Sequence, residues 1–193
     1  MRMHIEGYAI VSEDGMIADA AGHMPAMLTV EADQKFFHDS LDQAALVVHG
    51  RHSCEGGPHA SRRKRLIVTR TVAALAPHAA HRYALWWNPA GASLTEALQR
   101  LEINSGTLAV IGGTDVYELF WQPGYDAFHL TRVAGARLPG GRPVFRALAS
   151  AVGTTPEQVL TSHRLVPDPE VTLAPGVNLV TWRRVRRVQP RAA

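Results

Sequence analysis

The amino-acid sequence predicts an α/β domain with a mainly parallel central sheet, helices on both faces and antiparallel strands at the C-terminal end. Three observations lead there. Short apolar, β-branched runs bounded by glycine or polar turns recur along the chain and read as buried strands. Stretches with helix-start signals and helical apolar spacing alternate with them. Three strand ends, at Gly50-Arg51, Thr69-Arg70 and Gly112-Gly113, are followed by groups suited to phosphate, where ligands of such sheets sit.

At 193 residues, 46% apolar and 19% charged, the chain suffices for one domain with an ample core. We expect that domain over residues 1–185, with residues 186–193 a frayed basic tail. No run approaches the ~18–20 apolar residues of a bilayer span, so no membrane association is expected. The N-terminus enters a strand pattern without the apolar core of a signal peptide. A single cysteine, Cys54, leaves no internal disulfide and fits a reducing cytoplasm. The net charge of +3 gathers its excess in Arg62-Arg-Lys-Arg65 and Arg183-Arg-Val-Arg-Arg187. Neither cluster is interleaved with aromatics, so no nucleic-acid partner is expected.

In chain order, residues 5–12 form the first strand, with Tyr8, Ile10 and Val11 apolar. Met16-Ile-Ala18 follows, then residues 19–27, which hold Gly22 and Pro25. This connection reads either as a mobile cover over a site or as an ordinary surface loop. Residues 29–40 form a helix capped by Thr29, with Glu31 and Asp33 at its positive end. Asp33, Phe36 and Phe37 fall at i, i+3 and i+4 and share a face. A carboxylate beside rings suits a pocket in which a heterocycle stacks on a ring while the carboxylate accepts its N–H groups. The alternative is that Asp33 meets only the helix dipole while the rings pack in the core.

Residues 44–49 form a second buried strand leading into Gly50-Arg-His-Ser53, donors at a strand end. His49, His52, Cys54 and His59 match no zinc spacing, and no metal is expected. Residues 66–69 and 83–87 are the third and fourth strands. Ser93-Leu-Thr-Glu96 is a capping box opening a helix to about Ile103. Residues 107–111 are again a buried strand. Gly112-Gly113 then permits close backbone approach, and Thr114 or Asp115 caps a helix with Val116, Leu119 and Phe120 on one face. That geometry aims N–H groups at an anion, although no G-x-G-x-x-G or P-loop sequence is present. Residues 126–133 form another strand. A Gly/Pro loop over 135–143 and the anchor Val144-Phe145 follow. Residues 160–166 and 177–185 read as strands of a terminal antiparallel hairpin. Phosphate-suited groups at three strand ends point to one long anion such as a dinucleotide.

Val47-Val-His-Gly-Arg-His-Ser53, Leu66-Ile-Val-Thr-Arg70, Val110-Ile-Gly-Gly-Thr-Asp-Val-Tyr117 and His129-Leu-Thr-Arg132 resemble successive motifs of the dihydrofolate reductase superfamily. That superfamily includes the reductase domain of the bacterial riboflavin-biosynthesis deaminase–reductase. The likeness covers residues 8 to 145. It implies a three-layer α-β-α dihydrofolate-reductase-like fold with NADPH lying across the strand ends. By resemblance, Gly50, Arg51, His52, Ser53, Thr69 and Arg70 hold phosphates of the adenosine half, and the two arginines suit the 2′-phosphate. Gly112 and Gly113, usually joined by a cis peptide in the family, face the pyrophosphate with Ile111, Thr114, Asp115 and Val116. Tyr117 lies near the nicotinamide ribose, and Ala9, Ile17 and Ala18 line the nicotinamide pocket.

The same resemblance implies that Asp33 holds the heterocycle and assists protonation, that Thr131 supports its carboxylate, and that Phe37 contacts the substrate. The chemistry implied is hydride transfer to a C=N bond. Ser12-Glu-Asp-Gly-Met-Ile-Ala18 is similar to the riboflavin-type branch, and Met24-Pro-Ala26 lacks the tryptophan of the folate branch. Thr69-Arg70 looks more like the folate branch. The expectation is a stand-alone cytoplasmic NADPH-dependent reductase of a ribosylaminopyrimidine or pteridine. Relatives of this type commonly form homodimers, for which the C-terminal hairpin offers an edge. The alternative is a non-catalytic nucleotide-binding protein of the same fold.

Overall fold

The computed structural model describes residues 3–53, 56–57, 59–151 and 153–185. Along the chain come β1 (Met3–Ser12), β2 (Met16–Ala18), α1 (Glu31–Gln43), β3 (Leu46–Gly50), β4 (Arg65–Val68), β5 (Leu75–Pro77) and β6 (Ala84–Trp87). Then follow α2 (Leu94–Arg100), β7 (Gly106–Val110), α3 (Thr114–Leu119), β8 (Ala127–Val133), β9 (Arg142–Pro143) and α4 (Ala147–Ser150). Last come α5 (Pro156–Ser162), β10 (Leu165–Pro167), β11 (Val171–Ala174) and β12 (Val177–Arg184).

The main sheet runs β10-β12-β8-β1-β7-β3-β4-β6-β5, with β11 also on β12. The stretch from β8 to β6 is parallel, whereas β5, β10, β11 and β12 pair antiparallel. Leu46, Val47 and Val48, like Leu108, Ala109 and Val110, are wholly buried. Strands covered on both faces lose the alternation of a half-exposed sheet, which is why these runs are continuously apolar. The pleat sends successive side chains to opposite layers. Val47, Ala109 and Tyr8 pack beneath Phe36, Phe37 and Leu41 of α1. Val48, Val110 and Leu108 pack instead with Ala97 of α2, Val116 of α3 and Leu160 of α5. The result is a helix–sheet–helix sandwich.

Several sequence expectations are corrected. The N-cap of α1 is Val30, with no side-chain cap bond, and not Thr29. Thr29 closes a 3₁₀ turn over Ala26–Leu28, its N–H donating to the Ala26 carbonyl. Leu28 is buried with Ile10 and Ala136, and this anchor delays the helix. The helix α2 stops at Arg100, short of Ile103, because Glu102 takes a left-handed φ of 55°. Residues 160–166 are not one strand. Leu160 belongs to α5, which opens on a Thr155–Gln158 capping box with Pro156 in its first turn. The left-handed Arg164 (φ 64°) then turns the chain into β10. The terminal hairpin is therefore β11–β12, and β10 occupies the far end of β12.

Residues 19–27 are more structured than a plain loop. The Asp19 N–H donates to the His23 carbonyl, and the Asp19 carboxylate accepts the His23 N–H, each at 2.9 Å. Just before them, β2 pairs with β9 across the chain. The basic run at 62–65 is partly internal: Arg63 and Arg65 are buried, the first on Asp42 and the second donating to the Ala60 carbonyl. Arg183 pairs with Asp168. Cys54, Arg186, Arg187 and the tail 186–193 lie outside the described residues. Among the described residues, no helix is long and apolar enough to cross a membrane.

Candidate active site

A cleft of about 1420 Å³ opens at the carboxyl ends of the parallel strands. That exceeds the ~300–1,000 Å³ of a typical single-ligand pocket. Its floor is set by the sheet order, because residues within or just after β8, β1, β7, β3 and β4 all line it. Neighbouring strands lie about 4.8 Å apart, so the ends of β8 and β4 stand roughly 19 Å apart.

Every residue singled out from the sequence lines this cleft. On the first strand these are Ala9, and after it Ile17 and Ala18; from α1 and β8 come Asp33, Phe37 and Thr131. Beyond β3 and β4 come Gly50, Arg51, His52 and Ser53, then Thr69 and Arg70. Beyond β7 come Ile111, Gly112, Gly113, Thr114, Asp115, Val116 and Tyr117. The Gly112–Gly113 peptide is cis. The Gly112 carbonyl accepts the Gly50 N–H at 2.8 Å, which ties the β3 and β7 strand ends together. Gly112 has φ 110°, and a Cβ there would meet the Tyr117 hydroxyl at 3.1 Å, so glycine is required. A Cβ on Gly113 would have ordinary contacts with Ser53 Oγ at 3.8 Å and Ile17 Cδ1 at 3.9 Å. The strand ends thus form a cradle of bare backbone.

The β3–β4 arm is polar and positively charged at its rim. Arg51 and Arg70 are exposed, and Arg51 Nε donates to His52 Nε2 at 3.2 Å. Buried Thr69 exchanges a 2.9 Å hydrogen bond with Thr71. Behind Gly50, buried His49 meets the Gly50 carbonyl through Nδ1 at 2.9 Å and Arg65 through Nε2 at 3.5 Å. Burial lowers the His49 pKa. His59 pairs with Asp42 at 2.6 Å. Among the described residues, no group of three His, Cys, Asp or Glu side chains could hold a metal ion.

The α1–β8 arm is different. Asp33 is 9% exposed, and burial raises its pKa while the Thr131 hydroxyl, bonded to the carboxylate, pulls it down. Tyr117 is buried between the arms and donates to the Tyr8 carbonyl at 2.5 Å. Burial and then the charge of Asp33 raise its pKa. Phe36, which the helical spacing put on one face with Asp33 and Phe37, also lines the cleft, as do Tyr8 and His129, for which the sequence suggested no site role. His129 stacks on Tyr8 with centroids 4.5 Å apart, and Phe36 leans on both rings. His129 precedes Thr131 by two residues on one strand, so the two share a face, and that spacing was a readable signal. Asn88, Thr71 and Arg146, and Arg142 through the pairing of β9 with β2, line the cleft as well, and no local pattern encodes their approach.

No protein-family model matches this sequence, and no curated protein matches it at a significant level. Solved structures do match in fold. A pyrimidine reductase-like protein from Corynebacterium diphtheriae superposes with a TM-score of 0.64 at 14% identity, over 95% of this chain and 92% of that one. The diaminohydroxyphosphoribosylaminopyrimidine deaminase/5-amino-6-(5-phosphoribosylamino)uracil reductase of Thermotoga maritima gives 0.64 at 17% identity, over 95% of this chain. This chain spans 57% of that enzyme. Dihydrofolate reductase from Enterococcus faecalis, complexed with NADP(H), gives 0.59 at 17% identity, over 94% of this chain and 96% of that one. The chain has the dihydrofolate-reductase-like fold.

Proposed function

We propose that this protein is an NADPH-dependent reductase that delivers a hydride to a C=N bond of a pyrimidine or pteridine. The observation that carries the reading is the continuity of the cleft. A bare-backbone cradle at Gly50, Gly112 and Gly113 opens directly onto the buried Asp33–Thr131 pair. Reductases with this fold surround it among solved structures, one of them holding NADP(H).

The residues fit the cofactor. A Cβ on Gly113 would project between Ser53 and Ile17, where a ligand must approach the backbone. Arg51 and Arg70 would hold the 2′-phosphate, for which a planar guanidinium fork is suited. Gly50, His52, Ser53 and Thr69 would take the remaining adenosine-side phosphates. The peptide groups of Ile111, Gly112, Gly113, Thr114, Asp115 and Val116 would face the pyrophosphate. Ala9, Ile17, Ala18 and Tyr117 would bound the nicotinamide end. When bound, reduced nicotinamide supplies the hydride.

The protein's own part is alignment and proton handling. Phe37 offers a ring against which the heterocycle lies flat. Asp33 accepts its N–H groups, and the raised pKa lets the carboxyl hold a proton nearer neutrality and release it to the nitrogen being reduced. Thr131 fixes the carboxyl orientation. Tyr117 locks β1 to α3, which keeps the two arms in register. The test is NADPH oxidation against dihydrofolate, a ribosylaminouracil phosphate and a panel of pterins. Turnover of one of them that Asp33→Asn abolishes, with NADPH affinity kept, supports the reading. Tight NADPH binding without turnover of any would favour a nucleotide-binding protein that has lost chemistry.

A further inference from the structure

The connection from β3 to β4 carries Arg51, His52 and Ser53 along the cleft and returns to the sheet at Arg65. Its regular structure among the described residues is one 3₁₀ turn, Ala60–Arg62. Backbone bonds along it are local: the Ser53 N–H donates to the Gly50 carbonyl at 3.0 Å, Ala60 to Gly57 at 3.2 Å and Arg62 to His59 at 2.9 Å. Such a segment keeps one conformation only where longer-range contacts offset the entropy of ordering it. Helix α1 supplies them. His38 and Asp42 stand at i and i+4 on α1 and so share a face. Gly57 lies against the first, so close that a Cβ on it would come within 2.8 Å of the His38 ring. The second holds two side chains of the connection with one carboxylate. Asp42 Oδ2 meets His59 Nδ1 at 2.6 Å, and Oδ1 accepts from Arg63 Nε at 2.9 Å. Arg63 is buried, so water competes little for its bond. The two contacts, that of His59 first, hold the Asp42 carboxyl below its ordinary range.

We infer, resting on the reductase reading above, that Asp42 is a positioning residue for the cofactor, pinning the β3–β4 connection to α1 and so placing Arg51, His52 and Ser53. Asp42 stands outside the cleft and acts through the connection. The wall it holds belongs to the cleft, since Gly56, Gly57 and His38 line it. Arg51 and His52 are exposed and bond each other at 3.2 Å, so their backbone is positioned from the ends of the connection. One end is fixed by the Gly50 N–H on the Gly112 carbonyl at 2.8 Å. The other is fixed by Asp42, with the Arg65 guanidinium on the Ala60 carbonyl at 2.7 Å between them. Freed from α1, the connection would have to be ordered by the cofactor itself, and that cost is taken from binding. Charge alone argues the other way. Removing an acid here should favour an anionic cofactor, so weaker binding on loss of Asp42 has the sign of positioning and not of Coulomb attraction.

The experiment titrates the full-length wild-type protein and Asp42→Ala with NADPH and with 2′,5′-ADP, the adenosine half alone, well below the melting temperature of either protein. Amide exchange at Ala60 and Arg62 is followed alongside. Asp42→Ala should weaken both ligands by about the same factor, roughly 5-fold or more, and speed exchange at both amides. Asp39→Ala removes the same charge from the same helix, where Asp39 holds only the exposed Lys35 at 2.6 Å, and should weaken neither ligand. His59→Ala, at an exposed position, removes one of the two contacts and should weaken both ligands by a smaller factor, which keeps the test decisive if Asp42→Ala does not fold. Unchanged or tighter binding in Asp42→Ala overturns the inference. So do a loss confined to NADPH, unchanged amide exchange, and, where only His59→Ala folds, unchanged binding in that variant. Failure of the wild-type protein to bind either ligand would instead remove the reductase reading, and the inference with it.

Discussion

In the proposed reaction Asp33 is the residue on which the chemistry turns, and its environment makes opposite demands on stability and on that activity. Burial raises its pKa above the ordinary 3.8, and the Thr131 hydroxyl only partly offsets this. A carboxyl that binds its proton more tightly in the folded chain lowers stability as pH rises from the unfolded value through the folded one, and the penalty is constant above. Asp33→Asn should therefore raise the urea midpoint at neutral pH, and the gain should shrink as pH falls through that window. The same variant should lose roughly 100-fold or more in NADPH oxidation. A wild-type midpoint equal to the variant's at all pH values would show that Asp33 is not held strained. Thr131→Val removes the bond that favours the ionised form, so the alkaline limb of the pH–rate profile should move to higher pH.

At the scale of elements, the strand-end turns determine what the cleft can hold. Gly113 has a backbone that alanine can adopt, with φ −76°, and a Cβ there meets only ordinary contacts. Gly113→Ala should keep the wild-type melting temperature yet weaken NADPH binding at least about 10-fold, because the methyl stands where the backbone must be bare. Thr155→Ala is the control on the opposite layer. It removes the α5 cap and should cost about 1 kcal/mol in chemical denaturation, with NADPH affinity unchanged. The strand ends were legible because buried parallel strands are unbroken apolar runs and their glycines follow at once, as at Val110 to Gly113. The expected strand over 160–166 joined two buried leucines that belong to different elements, Leu160 to α5 and Leu165 to β10. The Thr155-Pro-Glu-Gln158 box held the correct signal. The pairing of β2 with β9 joins segments more than a hundred residues apart, which no local pattern encodes. Phe36 was legible from its helical spacing with Asp33, and His129 from its spacing with Thr131, but the meeting of Tyr8 with His129 depends on the register between β1 and β8.

For the whole molecule, the order β8-β1-β7-β3-β4 spreads two arms of unlike chemistry across roughly 19 Å of one cleft. The dinucleotide and flat ring proposed above would occupy one arm each. The central claim is that the β3–β7 cradle binds NADPH. Trp87 is buried at the end of β6, and Asn88 and Pro89 just after it line the cleft, so tryptophan emission can report occupancy. The decisive measurement is a fluorescence titration of the full-length protein with NADPH and NADH. The account predicts saturable quenching at micromolar NADPH and at least about 10-fold weaker binding of NADH, the difference vanishing when Arg51 and Arg70 are both replaced by alanine. Absence of both quenching and a thermal shift with NADPH would contradict it.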